Sequence, residues 1–497
     1  MPARTVTPAS PERPGDPADR RGPFRPARLV TSRARQSGRQ AAHGFRLADV
    51  TFLVVVTVVA LIVVNEGPVW TAPLSRALPM IGAALVTGRM LRSVGLYRFG
   101  RRERASVHAV GIALVVVAGA LAGVLIALIA GHEGRPSDIV RWAIPALAGL
   151  LVLHAVWWII VRRWRREGRL TPNIVIVGAT RHAERIVGDA LAQRDVNILG
   201  VFDDRLARSP EDVRGVPVLG DVSALLTHRI TPYVDLIVIA VDPTAHARVQ
   251  EVMRRLAVLP NDVALVVDDD GVGPSEAVRR LADTPLAPLD VVDDPDRRAF
   301  AKRLQDIALS AFGLLVLSPL LAVLALLVKL DSKGPAFFRQ RRHGFNNEEI
   351  VVWKFRTMRQ DAADAKAERQ VTANDERVTR VGRILRKTSL DELPQLINVL
   401  QGSMSLVGPR PHAIGMKTGE EESATLVAEY AQRHRIKPGM TGWAAIHGSR
   451  GPLDSAEDVR RRVALDVHYI EHQSFWLDAW IIVMTVPSVL GDREAVR

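Results

Sequence analysis

Long apolar stretches constrain this chain most, because only a membrane or a large protein core can cover them. Several stretches of about 20 residues lie in the first third of the sequence, close to the length that crosses a hydrocarbon layer about 30 Å thick as a helix. They are Leu47–Val64, Val69–Thr87, Val107–Ala130 and Ile139–Val161. The second is the weakest, because Pro73, Arg76 and Pro79 interrupt it. The sequence therefore predicts a four-helix transmembrane bundle over residues 47–165.

Positive charge is distributed unevenly around these stretches and predicts their orientation. Arginines are dense in residues 1–46, 89–104 and 162–169, whereas the connections at residues 65–68 and 131–138 carry almost none. By the positive-inside rule, both ends of the bundle face the cytoplasm. The first segment has no hydrophobic period, so we predict a disordered basic arm that either binds anionic lipid or is a solvated linker. We therefore expect a multi-pass membrane protein with cytoplasmic soluble domains.

A second pattern begins at Pro172, where short Val/Ile runs alternate with helical stretches. This alternation predicts a Rossmann-like α/β domain with a parallel sheet over residues 171–292. Gly178 follows the first predicted strand at the place of a phosphate loop, but Thr180 replaces the second glycine and would hinder a pyrophosphate. Asp203 and Asp204 end the second strand, where a ribose-binding acid would lie, although surface turns often contain the same pair. A nucleotide site and a structural or regulatory module both remain open.

A further apolar stretch, Ile307–Val328, is long enough to cross a membrane but has unusual flanks. Basic residues lie on both sides of it, as in a segment that enters and leaves the membrane by the same face. Ser318 and Pro319 lie in its middle, where proline removes a helical donor and bends the chain. We predict a re-entrant helix over residues 304–330, broken at this pair. The alternative is a kinked helix that spans the membrane.

The segment Ser389–Pro394 contains two adjacent carboxylates, Asp391 and Glu392. Ser389 with Glu392 three residues later is the pattern of a capping box and predicts that a helix begins there. Carboxylates in the first turn of a helix either offset the helix dipole or take part in chemistry. The residues around Asp391 and Glu392 indicate which of these two roles applies.

Basic residues around the two carboxylates favour chemistry at phosphate. The rigid loop Val407–Pro411 presents Arg410, whose planar guanidinium is well shaped to bind phosphate. Mg²⁺ bound by one or two carboxylates and by substrate phosphates would neutralise the repulsion between an acid and a diphosphate. An aspartate so placed can attack phosphorus and form a covalent intermediate. Asp391 and Glu392 are therefore candidate catalytic and Mg²⁺-binding residues.

Three strings in this part of the chain, KFRTM, LRKTSLDELPQLINVLQGSMSLVGPRP and KPGMTGW, resemble the bacterial sugar transferase family. Its members are polyprenyl-phosphate sugar-1-phosphate transferases, also called monotopic phosphoglycosyl transferases. The resemblance covers about Ala299–Leu490, and we place an α/β catalytic domain at residues 299–497. The bundle and the Rossmann-like domain ahead of it are similar to the long form of the family, which primes exopolysaccharide or O-antigen synthesis.

The resemblance implies transfer of a sugar-1-phosphate from a UDP-sugar to undecaprenyl phosphate, with release of UMP and with Mg²⁺. Asp391 would become a phosphosugar-aspartyl intermediate, and Glu392 would be its partner in metal coordination or proton handling. Lys302 and Arg303 would hold the re-entrant helix at the lipid headgroups. The residues expected to meet phosphates or the nucleotide are Lys354, Arg356, Arg377, Arg386, Pro409, Arg410 and Pro411.

The C-terminal pattern looks most like the glucose-phosphate transferases of this family, so glucose is preferred over galactose or an acetamido sugar. Residues Ala445–Gly448 read AIHG where the family has a Gln-Ile/Val-Asn-Gly pattern. The resemblance also allows a homodimer and implies the bacterial inner (cytoplasmic) membrane as the location. The ligand of the Rossmann-like domain and the polysaccharide that is primed stay undetermined.

The sequence features also admit two other classes of protein. A non-catalytic scaffold or nucleotide-sensing regulator is the alternative, against which the intact Asp391, Glu392 and Arg410 argue. The net charge of +13 also admits a nucleic-acid partner. We exclude nucleic acid, because the arginines follow the membrane spans and the phosphate site and no nucleic-acid-binding motif occurs. The absence of cysteine excludes a thiol nucleophile.

Overall fold

The computed structural model of the chain contains two compact units, which we describe separately. One contains Thr171–Leu256, and the other contains Ser32–Leu170 together with the C-terminal region. The described residues are 29–97, 99, 103–129, 136–193, 196–205, 209–241, 246–265, 295–359, 375–412, 417–418, 421–422, 428–449, 451 and 455–491. The bundle and the C-terminal domain, which the sequence separated, thus pack as one unit.

The predicted bundle consists of helices α1 (Ser32–Asn65), α2 (Leu74–Ser93), α3 (Ala105–Ile129) and α4 (Pro136–Arg166). Within the described residues, the helices long and apolar enough to cross a membrane are Gln40–Asn65, Ala105–Ile129, Ser137–Arg166 and Arg297–Asp331. Helix α2 is outside this group, as its proline and arginines lead one to expect. The prediction of disorder up to residue 46 is wrong, because α1 already begins at Ser32. Residues 1–28 of the arm lie outside the described residues.

Small residues let α2 and α3 approach closely. A Cβ atom on Gly119 would lie 2.0 Å from Thr87 Oγ1 and 2.8 Å from the backbone oxygen of Ala83. A Cβ atom on Gly123 would lie 2.8 Å from the backbone oxygen of Pro79. Lipid tails are as apolar as leucine, so helices in a membrane associate through such close packing rather than through the hydrophobic effect.

A hydrogen-bonded chain of polar side chains links the helices of the bundle. Glu103 lies 2.9 Å from Nδ1 of His108, whose Nε2 lies 3.0 Å from Nδ1 of His154. His154 Nε2 in turn lies 3.0 Å from Asp49, which also accepts a 2.8 Å hydrogen bond from the Tyr97 hydroxyl. Asp49 and His154 are fully buried. These contacts fix α1, α3 and α4 relative to one another, because a buried polar group that loses its partner is costly.

The α/β unit contains a sheet with the strand order β3-β4-β2-β1-β5-β6. The pairs of β1 with β2 and β5, of β2 with β4 and of β5 with β6 are parallel, and β3 is antiparallel to β4. The bounds are β1 (Asn173–Val177), α5 (Arg181–Gln193), β2 (Asn197–Phe202), β3 (Asp212–Val213), β4 (Val216–Gly220), α6 (Val222–Thr227), β5 (Leu236–Ile239), α7 (His246–Leu256) and β6 (Asp262–Leu265). The predicted α/β sheet is confirmed, and residues 266–292 of the predicted domain lie outside the described residues.

The C-terminal domain opens with a long helix and a β-hairpin. Helix α8 (Pro295–Asp331) leads into the antiparallel strands β7 (Phe337–His343) and β8 (Glu349–Phe355). The elements that follow are α9 (Arg380–Thr388), a 3₁₀ turn (Leu390–Glu392), α10 (Gln395–Gln401), β9 (Ser405–Val407), β10 (Lys417–Thr418), β11 (Glu421–Glu422), a 3₁₀ segment (Ala428–Arg435), β12 (Gly439–Thr441), α11 (Trp443–Ile446), α12 (Ala456–His472) and α13 (Phe475–Gly491). Strand β9 pairs in parallel with β12, which joins the two halves of the domain.

Helix α8 is continuous through the predicted break. It runs for 37 residues, about 55 Å at 1.5 Å per residue, with Pro319 inside it. The Ser318 hydroxyl donates a 2.8 Å hydrogen bond to the carbonyl of Leu315, one turn earlier. Ser318 and Pro319 therefore do not end the helix, since a serine hydroxyl can help to accommodate one proline, and a bend at this pair stays a prediction.

Both halves of α8 pack on the same C-terminal domain. In the first half, Asp306 accepts a 3.0 Å hydrogen bond from the Ser405 hydroxyl. In the second half, Leu324 and Val328 are buried in a cluster with Phe355. The opposite side of the helix exposes apolar side chains along its length, namely Phe312, Leu315, Val316, Val323, Leu326 and Leu330. One stripe of the helix thus contacts protein, and the other is free to contact lipid.

Replacement of Gly119 by leucine should separate α2 from α3. A Leu side chain at this position meets the backbone of α2, which cannot move aside, and overpacking of this kind costs about 1–3 kcal/mol. We expect a lower melting temperature of the detergent-solubilised protein, measured by loss of the monodisperse peak in size-exclusion chromatography after heating. Val117→Leu is the control, because Val117 is exposed on the same helix. Equal melting temperatures for the two variants would contradict the close α2–α3 packing.

Candidate active site

Asp391 and Glu392 lie in a short turn between two helices rather than at a capped helix start. Ser389 ends α9 in the left-handed conformation, with φ of 55°, and makes no side-chain capping hydrogen bond to the turn that follows. Helix α10 begins only at Gln395. The predicted capping box is therefore wrong. The sharp change of direction at Ser389 aims the two carboxylates at the β7–β8 hairpin.

Glu392 is held by two cations from distant parts of the chain. Lys354 Nζ, on β8, donates a 2.8 Å hydrogen bond to its Oε1. Arg410 donates to both carboxylate oxygens, at 2.7 Å to Oε1 and 3.2 Å to Oε2. A bidentate guanidinium–carboxylate pair fixes both groups in direction as well as in distance. The structure thus brings together three of the residues that the sequence identified.

Asp391 and Glu392 differ in their electrostatic environment although they are neighbours. Burial raises the pKa of Asp391 to about 6, against the opposing effect of Lys354. Burial would also raise the pKa of Glu392, but Arg410 and Lys354 outweigh it and hold this pKa well below its usual range. A pair of carboxyl groups whose pKa values are pushed apart is a frequent sign of an acid–base or nucleophilic site.

Sequence reasoning missed Arg342, which belongs to the same cluster. The register pairs Phe338 with Lys354 and Arg342 with Ile350, so period-2 alternation puts Arg342 and Lys354 on one face of the hairpin. The Arg342 guanidinium donates to the carbonyl of Pro411, and the positive charge of Arg410 contributes to a lowered Arg342 pKa, for which burial is the main cause. In the sequence, only the alternation of side chains along β7 could have indicated the face on which Arg342 lies. The pairing of β7 with β8 is needed to show that this face also carries Lys354.

The loop that carries Arg410 depends on close contact between two glycine-containing segments. A Cβ atom on Gly408 would lie 2.6 Å from the Lys437 carbonyl oxygen, and one on Gly439 would lie 2.1 Å from the Gly408 nitrogen. A Cβ atom on Gly442 would lie 2.4 Å from the Gly408 carbonyl oxygen. The strings GPRP and KPGMTGW therefore form one packed unit through the β9–β12 pair. Pro409 and Pro411 stiffen the loop on either side of Arg410.

Strand β8, which carries Lys354, is fixed to α10 by a buried amide. Asn398 Nδ2 donates a 2.7 Å hydrogen bond to the Val351 carbonyl, and Asn398 Oδ1 accepts a 2.9 Å bond from the Trp353 N–H. The Asn398 amide thus bonds the backbone groups of β8 that a third strand would otherwise pair with. The distance between Lys354 and the carboxylates is thereby set by the backbone.

The other predicted phosphate ligands are placed differently from one another. Arg356 is buried, and its guanidinium donates to the carbonyls of Ser332, Lys333 and Val328 at the end of α8. The structure therefore does not bring Arg356 to the carboxylates, and a role as a cap of α8 replaces the predicted one. Arg377 is ion-paired with Asp375 at 2.6 Å, whereas Arg386 lies near enough to lower the pKa of Asp391.

Lys302 and Arg303 face protein rather than lipid headgroups. Lys302 Nζ lies 2.7 Å from Oδ2 of Asp478, and its side chain is 15% exposed. Arg303 donates to the carbonyls of Val399 and Leu400, at 2.5 and 2.6 Å, at the end of α10. Helix-end carbonyls and a buried carboxylate thus give both cations partners inside the protein, and the headgroup contacts stay a prediction.

The residues around Asp391 fit a magnesium ion that is bound by one protein carboxylate, that of Asp391. Within the described residues there is no cluster of three or more His, Asp or Glu side chains able to hold a metal. Both oxygens of Glu392 already accept charged hydrogen bonds. The buried Asp391 carboxylate, by contrast, has a raised pKa that a bound cation would lower. Magnesium commonly takes one or two carboxylates and completes its shell with substrate phosphates and water.

A cavity of about 210 Å³ lies at the carboxyl ends of β1 and β2 in the α/β unit. Its first loop is not arranged to bind a pyrophosphate, because the Ala179 N–H donates to the Asp203 carboxylate at 2.8 Å. Asp204 accepts from the Val222 N–H and is ion-paired with Arg248 at 2.5 Å. The two acids that the sequence compared with a ribose ligand thus have partners inside the protein.

Comparisons with known proteins agree with the motifs of this site. The profile of the family described as "Bacterial sugar transferase" matches residues 297–492, and that described as "CoA-binding domain" matches residues 92–267. The chain is 36% identical over 77% of its length to the UDP-glucose:undecaprenyl-phosphate glucose-1-phosphate transferase of Xanthomonas campestris pv. campestris, and the match covers 81% of that relative.

Two further relatives differ in the sugar that their names specify. The undecaprenyl-phosphate glucose phosphotransferase of Komagataeibacter xylinus is 39% identical over 71% of this chain, and the match covers 66% of that relative. The UDP-N-acetylgalactosamine-undecaprenyl-phosphate N-acetylgalactosaminephosphotransferase of Aeromonas hydrophila is 39% identical over 39% of this chain and 44% of its own length. Together with the matched profile, these relatives show that the chain is an enzyme that belongs to the bacterial sugar transferase family.

Proposed function

We propose that the protein transfers a sugar-1-phosphate from a UDP-sugar to undecaprenyl phosphate and releases UMP. The observation that carries this proposal is the adjacent pair of a buried Asp391 and a largely buried Glu392, in which Lys354 and Arg410 occupy the oxygens of Glu392 and neither of them binds Asp391. The names of the relatives support the donor and acceptor classes. This reaction would provide the first lipid-linked sugar for polysaccharide synthesis.

In the first step, an Asp391 carboxylate oxygen attacks the phosphorus that bears the sugar. The bond from this phosphorus to the bridging oxygen breaks, and the electron pair leaves with UMP. In the second step, a phosphate oxygen of undecaprenyl phosphate attacks the same phosphorus and displaces Asp391. The product is an undecaprenyl diphosphate sugar, and the carboxylate is regenerated. Covalent catalysis of this kind divides one difficult transfer into two easier ones.

The ionised Glu392 acts through the cations that it holds. By pairing with Lys354 and Arg410, it keeps two positive charges beside Asp391. These cations, with Arg342, are suited to stabilise negative charge on the transferring phosphoryl group, and such preorganised charge is frequently the largest part of catalysis. Magnesium, when held by Asp391 and the substrate phosphates, would supply further neutralisation of the diphosphate.

We infer that α8 is a re-entrant or membrane-embedded helix that does not cross the bilayer. Its two halves pack on one domain, which can lie on only one side of a membrane. The exposed stripe of α8 and the exposed Trp476 and Trp480 of α13 would then contact the same leaflet. This arrangement would bring the phosphate of a lipid-linked acceptor to the level of Asp391.

Glucose is the proposed sugar, and the Xanthomonas and Komagataeibacter relatives support it by name. The GalNAc-specific name of the Aeromonas relative, at a similar identity over the C-terminal domain, makes N-acetylgalactosamine the second candidate. Coenzyme A, which the name of the second matched family implies, does not fit the first loop of the α/β unit, since Asp203 occupies its amide donor. No step of the reaction involves it.

Replacement of the proposed nucleophile tests the reaction directly. We expect membranes that contain the wild-type protein to release UMP from UDP-glucose in the presence of undecaprenyl phosphate, and Asp391→Asn to lose at least about 10³-fold in turnover, since it removes the attacking group. Asp262→Asn, at an exposed aspartate of the α/β unit, is the control. Unchanged turnover in Asp391→Asn would refute the assignment, and no UMP from the wild type with any UDP-sugar would refute the function.

The raised pKa of Asp391 predicts the acid limb of the pH–rate profile. The carboxylate attacks only when ionised, so the rate should fall as the pH drops through the pKa of Asp391, which is raised to about 6 in the metal-free protein and which bound magnesium would lower. Arg410 lowers the pKa of Asp391, so Arg410→Gln should move this limb to higher pH and also reduce kcat by about 10²–10³-fold. Arg380→Gln, an exposed arginine on α9, should change neither quantity. A limb that stays in place or moves to lower pH in Arg410→Gln would contradict the electrostatic account.

The membrane arrangement of α8 is testable because the chain has no cysteine of its own. Single cysteines in Arg298→Cys and Lys333→Cys flank the apolar part of the helix. Both cysteines should react with a membrane-impermeant maleimide in inverted vesicles, where the cytoplasmic side is accessible. Neither should react in spheroplasts, where the periplasmic side is accessible. Glu66→Cys, between α1 and α2, is the control and should react from the periplasmic side. Reaction of the Lys333→Cys protein from the periplasmic side would show a spanning helix.

A further inference from the structure

A buried arginine behind the active site contacts the loop that carries Arg410. Arg433 is one of the largest fully buried side chains among the described residues, with 2% of its surface exposed. Its Nη2 donates a 2.9 Å hydrogen bond to the carbonyl of Arg410 and lies 2.8 Å from Oδ2 of Asp466, on α12. A buried guanidinium is costly unless it is paired, so this contact set is a built feature of the fold.

The same guanidinium also fixes the residue at the end of the loop. Arg433 Nη1 lies 2.6 Å from Nδ1 and 3.0 Å from Nε2 of the buried His412 ring. The Tyr430 hydroxyl lies 2.5 Å from the same Nδ1, so two side chains contact the ring at this nitrogen. Arg433 therefore contacts both the backbone at residue 410 and the side chain at residue 412.

A second arginine holds the residue between these two. Arg342 donates to the carbonyl of Pro411, and its own guanidinium is oriented by Gln340 Oε1 at 2.8 and 3.2 Å. The loop from residue 410 to residue 412 is thus held at three consecutive residues by two arginines. Its backbone dihedrals decide where the Arg410 side chain points. A shift of this loop by 1 Å would break the bidentate pair of Arg410 with Glu392.

We propose that Arg433, locked by its ion pair with Asp466, is a positioning residue that aims Arg410 at the donor diphosphate. Arg433 is buried behind the loop and acts through Arg410. A lysine at this position keeps the charge but has no planar fork, so it cannot hold the Arg410 carbonyl, His412 and Asp466 together. This inference rests on the proposed transfer reaction, in which Arg410 binds a substrate phosphate.

The test is a double-mutant cycle on the KM for the UDP-sugar, measured with the full-length protein in membranes. Arg433→Lys should raise this KM by about tenfold, since a misplaced guanidinium loses one charged hydrogen bond to phosphate. In an Arg410→Lys background, the same substitution should raise the KM further by less than about twofold, because residues that act as a unit are not additive. A merely structural role lowers the amount of active enzyme and leaves KM unchanged.

The controls separate this inference from the reaction on which it rests. Arg460→Lys, at an exposed position of α12, should leave KM and kcat at their wild-type values. Asp466→Asn frees Arg433 without altering it and should raise KM in the same direction, which keeps the test available if Arg433→Lys does not fold. An unchanged KM in the folded single variants, or multiplicative increases in the double variant, would overturn the positioning role. A wild type that releases no UMP would instead refute the proposed function.

Discussion

The ion pairs of Glu392 are the interaction on which the site depends. Two adjacent carboxylates shielded from water repel each other. They can take different roles only if nearby positive charges stabilise one of them more than the other. Lys354 and Arg410 supply it to Glu392, while burial dominates at Asp391. The protein thus keeps one carboxylate as a permanent anchor for cations and leaves the other available for chemistry. If the cations were shared equally between Asp391 and Glu392, the two carboxylates would not differ in pKa in this way.

Three distant segments must meet for this asymmetry to exist, and each is fixed by backbone contacts. Asn398 fixes β8 and therefore Lys354. The close approach of Gly408 to Gly439 joins β9 to β12 and so fixes the loop before Arg410. These contacts explain why the diagnostic strings of the family contain glycine, proline and asparagine beside the charged residues. The charged groups form the proposed site, and the others fix the distances between them.

The sequence predicted what depends on local pattern. Apolar length predicted the bundle, the alternation of short Val/Ile runs predicted the α/β sheet, and the motifs predicted that Asp391, Glu392, Lys354 and Arg410 belong together. It did not predict the partners of the other cations. Arg356 and Arg303 were expected at phosphate and at lipid, but both bind carbonyls at helix ends. Arg342 was missed, although it lies on the same hairpin face as Lys354.

These errors share one physical cause. Nothing local distinguishes an arginine that caps a helix from one that binds a substrate, because the unpaired carbonyls at a helix end are brought near only by tertiary packing. Ser389 is a similar case. Its spacing to Glu392 matches a capping box, but the end of α9 places it in the left-handed conformation, which no spacing rule reveals. Asp49 likewise gains its His154 and Tyr97 partners only when the bundle forms.

The central claim is that Asp391 becomes covalently bound to the phosphosugar. It is tested most directly by incubating the purified protein with UDP-glucose in the absence of undecaprenyl phosphate and measuring the mass of the peptide that contains Asp391. The account predicts a stoichiometric adduct of hexose phosphate on that residue, which disappears when undecaprenyl phosphate is added and is absent from Asp391→Asn. An adduct on another residue, or release of UMP by wild-type protein that never carries an adduct, would contradict it.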